Sequence, residues 1–265
     1  MPLHDEYTRV TPFELLFATP HEAGTFSASV AEESEGRGAD IDAPHAFVTM
    51  GVVTDFIRRI EGEDAPPEAI HQYGALAFHA LHFSRAGLPL YLLSTHAARY
   101  LVEGRGGDDP APLSPAGYLQ LPQHLFWLND GSDTPQSVDG IFWKTTASGF
   151  VHTLLATGMR SDRGGLGVVP LPEAPLADAT GWLDVDARGD GSDFHNAMPG
   201  AEIDALYLFS TSGEVLKLLA RFFAYARAVP EALVEGELSP PVDPAAGSDG
   251  PEASTLSSKR VILHG

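Results

Sequence analysis

The stretch "GIFWKTTASGFVHTLLAT", Gly140 to Thr157, decides how this chain is read. Its two halves are rich in β-branched and aromatic residues, and Ala147–Ser148–Gly149 between them is turn-like, so the segment predicts a β-hairpin. Upstream, "YLQLPQHLFWL" predicts one strand, with Pro122 marking an edge or a bulge. "LPLYLL", Leu88–Leu93, and "LGVVPLP", Leu166–Pro172, supply two more.

Helices flank this block. In "FVTMGVVTDFIRRI", Val48, Val52, Phe56 and Ile60 recur every four residues, the stripe of an amphipathic helix. Pro67 opens a second helix that runs to about Arg85 and is closed by Gly87. Ser94 and Thr95 are caps for a short helix over "HAARYLVE". "AEIDALYLF" fits helix or strand, whereas "TSGEVLKLLARFFAYARA" is helical, with Thr211 and Glu214 as a capping box. The expectation is an α+β protein: N-terminal helices, a central, mainly antiparallel sheet, a C-terminal helix and a disordered acidic tail. Its parts are a weakly patterned segment 1–46, in which "AEESEGRGADIDAP" reads as a solvated acidic loop, a globular domain 47–229, and a tail 230–265.

Thirty-six acids against sixteen bases give a formal charge of −20, a field that repels nucleic-acid backbones and anionic lipid. There is no cysteine, which excludes disulfides and thiolate chemistry. The first residues lack the basic and apolar regions of a secretory signal, and no apolar run is long enough for a membrane span. A cytoplasmic location is expected, with no nucleic acid and no membrane as partner.

"DVDARGDGSDFHN", Asp184–Asn196, resembles a calcium loop only in part. Arg188 stands where the fifth-position ligand belongs and His195 replaces the bidentate glutamate, so it reads as a polar turn. His79 and His82, three apart on the second helix, are spaced to chelate, but His71 lies some 16 Å along the axis from His82. No metal site is expected, and no cofactor motif is present. In the strands, His124 and His152 are the candidate acid–base residues. "GMRSDRGGLG" reverses the local charge, making Arg160, Arg163, Gly164 and Gly165 candidates for holding an anion. The terminal Lys259, Arg260, Val261, Ile262 and Leu263 form a basic, aliphatic patch suited to adding a strand to a partner's sheet or to the chain's own. With no catalytic motif, the sequence favours an acidic accessory or regulatory protein that binds another protein. The alternative is a small-molecule enzyme with an anionic substrate at the Arg160/Arg163 loop and a histidine as acid–base.

Overall fold

The computed structural model describes residues 20–103, 111–122, 125–128, 136–160, 165–176, 195–196, 207–209, 212–235 and 259–261. The expected hairpin is its centre. β4 (Gln136–Thr145) and β5 (Phe150–Arg160) pair antiparallel, with Lys144 opposite His152 and Phe142 opposite Leu154. Gly149 sits at φ 84°, a left-handed conformation that glycine adopts without steric cost, and Thr146 N–H donates to Phe150 O across the turn.

The sequence "YLQLPQHLFWL" yields two strands rather than one, β2 (Ala116–Gln120) and β3 (Phe126–Leu128), both antiparallel to β4. The interruption falls at Pro122, which has no N–H to give the ladder. β1 (Leu90–Leu92) runs parallel to β2 and ends the sheet. On the other flank β6 (Gly165–Pro170) and β7 (Ala174–Pro175) pair with β5. β8 (His195–Asn196) pairs with β9 (Tyr207–Phe209), which is parallel to β3. The chain is therefore α+β, with a mixed and mainly antiparallel sheet. "AEIDALYLF" resolves as strand at Tyr207–Phe209.

Alternation of side chains assigns the two faces. Tyr118, Phe142, Leu154 and Ala156 face one core, with α1 (Pro20–Arg37), α2 (Pro44–Phe47), α3 (Gly51–Glu61) and α4 (Pro67–Arg85). Leu119, Ile141, Trp143 and Leu155 face the other, with α5 (Thr95–Glu103) and α6 (Ser212–Ala228). α4 lies on the sheet, and α1, α2 and α3 pack around it. Gly117 and Gly140 make this possible: a Cβ at 117 would sit 2.3 Å from the Trp143 ring, and one at 140 would sit 2.2 Å from the Tyr118 hydroxyl.

Two expectations are corrected. "AEESEGR" is not a loop but the last two turns of α1, leaving only residues 38–43 irregular. Val30 and Ser34 are buried on it, so burial supplies what composition did not. The helix expected from Phe47 begins at Gly51, because Met50 is extended and Glu33 of α1 accepts the N–H groups of Gly51 and Val52 at 2.7 and 2.8 Å. Past Val229 the structure describes two further pieces. Pro230–Ala232 form a 3₁₀ turn, and β10 (Leu233–Glu235) pairs antiparallel with β11 (Lys259–Val261). Among the described residues no helix is long and apolar enough to cross a membrane.

Candidate functional site

The hairpin register creates a polar seam inside the molecule. Lys144 and His152 share the sheet face that α4 covers, and α4 brings His79 and His82 to the same seam. The Phe78 ring is the common wall, 5.1 Å from His79, 4.7 Å from His82 and 5.3 Å from His152. His82 Nε2–H donates to Ile41 O at 2.9 Å, which fixes its tautomer. Lys144 Nζ donates to Thr145 O at 2.7 Å and pairs with Asp42 at 3.2 Å. His152 Nε2 lies 3.4 Å from Glu173. Asp42 and Glu173 are themselves exposed, so the two acids stand at the mouth of a cluster whose four nitrogen-bearing side chains are largely buried.

Burial dominates the electrostatics of this seam. It pushes the His79 pKa well below the ordinary histidine value, helped by the charges of His152, His82 and Lys144. His82 and His152 are lowered for the same first reason, although the Ile41 carbonyl and Asp42 oppose the shift at His82, and Glu173 opposes it at His152. Nδ1 of His79 is buried with no hydrogen-bond partner among the described residues. Burial thus favours the uncharged form of all three imidazoles. Among the described residues no group of three His, Asp or Glu side chains is placed to hold a metal ion.

The residues expected from sequence meet only in part. His152 is in the cluster. Arg160 ends the same strand, eight residues of extended chain, or about 26 Å, from His152. Gly165 opens β6 opposite Arg160, while His124, Arg163 and Gly164 lie outside the described residues. Lys259, Arg260 and Val261 form β11; Ile262 and Leu263 lie outside the described residues, as do Thr211 and all of the aspartate-rich stretch except His195–Asn196. Lys144, Asp42 and Glu173 escaped notice because each is unremarkable alone. The one legible signal was the turn at 147–149, whose register sets Lys144 opposite His152.

The outer surface of the α1–α4 layer is the second notable feature. Residues 20–85 carry eleven acids and four arginines, and ten of those acids are exposed. The arginines answer to local groups: Arg37 to Glu33, Arg58 to Asp55 and Glu63, Arg85 to Glu35, and Arg59 lies over the Phe56 ring at 5.3 Å. Between α1 and α3 runs a groove floored by Phe26, Val52 and Phe56 and rimmed by Glu22, Asp55 and Arg59. Elsewhere Lys144, Lys217 and Arg221 are buried, while Arg99 and Arg227 are exposed. Comparison with protein-family models, with curated proteins and with solved structures finds no match for this chain.

Proposed function

We propose that the protein is an acidic accessory component that binds the basic surface of another protein through its α1–α4 layer. The observation that carries this reading is the disposition of charge: ten exposed acids on one helical layer, with its arginines engaged locally and three further bases buried inside. Such a surface accelerates encounter with a cationic partner and selects against anionic ones. The groove between α1 and α3 adds an apolar foothold, which charge alone does not provide.

The test is capture on the immobilised full chain from native lysate, at low salt and at about 0.5 M, where screening confines charge effects to within a few ångströms. Captured proteins should be basic, should elute with salt, and should be lost from the Glu32→Lys, Asp55→Lys, Asp64→Lys variant but not from Glu231→Lys. Undiminished capture by the triple variant would overturn the proposal. The enzyme reading draws on one observation, the convergence of His79, His82 and His152 beside Lys144. It needs the anionic group of its substrate at Lys144 rather than at the distant Arg160. His152→Gln would then abolish turnover and leave capture intact.

A further inference from the structure

β10 is an isolated strand following α6, and β11 is its partner from the far end of the chain. Their register sets Leu233 opposite Val261, Val234 opposite Arg260 and Glu235 opposite Lys259. β11 also lies against β1, the end strand of the main sheet, without joining its ladder. A strand at the end of a sheet exposes backbone donors and acceptors and is a template for another strand. Here β11, paired with β10 through the described residues Lys259–Val261, lies against that strand.

The composition of the covering piece is distinctive. Between Ala228 and Lys259 the chain has six acids and no base, and Lys259 and Arg260 then arrive together, followed by Val261. The register places the basic residue Lys259 opposite the acidic residue Glu235. A short basic–aliphatic strand thus lies on an acidic body, which is the chemistry assigned above to the partner.

We infer that the β10–β1 edge is a strand-docking site for a basic–aliphatic extended segment of a partner protein, and that Lys259–Val261 occupies it in cis as a removable stand-in. The inference rests on the reading of the protein as a binder of basic partners. The stand-in belongs to the same chain, so its return to the site is intramolecular and masks the site from an added segment, and a partner with a better strand displaces it.

The experiment titrates a fluorescein-labelled peptide of the last ten residues, LSSKRVILHG, into the full chain and into the full-length Arg260→Pro variant. Proline removes an N–H from the middle of β11 and should vacate the site. Arg260→Pro should bind the peptide at least about tenfold more tightly than the wild type. Equal affinity, or binding by neither, would overturn the inference, as would equal binding of a peptide with Glu-Glu in place of Lys-Arg. Hydrogen exchange in the same samples guards against a local folding defect: amides of Leu233–Glu235 should exchange faster in Arg260→Pro and be protected again by the peptide. Amides that stay unprotected at saturating peptide also overturn it. The helical-face reading fails on a different result, unchanged capture by the triple reversal, which the peptide titration does not affect.

Discussion

Trp143 and Phe142 are neighbours on β4, yet they look into different kinds of interior. Trp143 faces α5 and α6, where it lies 5.2 Å from Phe223, 6.4 Å from Phe222 and 5.8 Å from Tyr91, with its Nε1–H donating to Ser114 O. Phe142 faces α4, where Tyr118 and Phe83 share the space with His79. Both layers bury cations, but by different means. Arg221 of α6 places its guanidinium on the carbonyls of Leu101 and Val102 at the end of α5, joining two helices. Across the sheet, Lys144 meets Asp42 and lies among imidazoles. One face is an aromatic core with a cation joining its helices. The other is an aromatic core with a titratable seam and an acidic exterior.

Trp143→Ala should produce the largest effect. It opens a cavity against α6 and leaves the space beside Gly117 unfilled, at a cost of about 3–5 kcal/mol in chemical denaturation. A loss below about 1.5 kcal/mol would mean that the α5–α6 face is no better packed than the histidine seam.

A smaller effect belongs to Glu33→Ala on the acidic layer. Burial raises the pKa of this carboxyl, but the N–H groups of Val52 and Gly51, with Arg37, outweigh it and hold the pKa below the usual glutamate value. Glu33 therefore acts as the N-terminal cap of α3 from outside that helix, and its removal should cost about 1–2 kcal/mol. If Glu33→Ala matches the wild type, the break at Met50 has a cause other than this contact.

The smallest effect at pH 8, and the sharpest on the comparison, is in pH dependence. In the fold the pKa of His79 is lowered well below 6.5, so the unfolded chain binds more protons as pH falls through that value. Stability should be intact above about pH 6.5 and decline below it. Lys217, on the other face, is pushed down to about 8 by burial, so stability should rise with pH between about 8 and 10.5. His79→Leu should reduce the acid limb alone, with His82 and His152 supplying what remains of it, and Lys217→Met should reduce the alkaline limb alone, both read as thermal midpoints across pH. A single substitution that flattens both limbs would show the two faces to be one coupled system.

Much of the fold was legible because local rules and tertiary needs coincided. Pro67 and Gly87 bracket α4 as its terminal chemistry demands, and Ser94 caps α5 through the Ala97 N–H at 3.2 Å. The β4–β5 turn carried its own register. Other elements were not legible. α1 reads as a polar, glycine-bearing stretch, and it is helical because Val30 and Ser34 meet a layer built from residues far along the chain. The split of "FVTMGVVTDFIRRI" depends on a carboxylate eighteen residues upstream.

The amino-acid sequence by itself determined what local spacing can encode: the hairpin, the strong helices, the acidic balance and the absence of thiol chemistry. Those follow from backbone sterics, capping groups and side-chain charge, which act over a few residues or over the whole chain at once. Only the tertiary structure decided which polar groups meet. Asp42, His79, Lys144, His152 and Glu173 come from five separate segments, and their meeting depends on how α4 is laid across the sheet. Burial lowers the pKa values of the three histidines there, and burial is a property of the packed layers rather than of any window of sequence. The same holds for β11, whose basic–aliphatic character is written at the end of the chain but whose place beside β10 and β1 exists only in the folded chain.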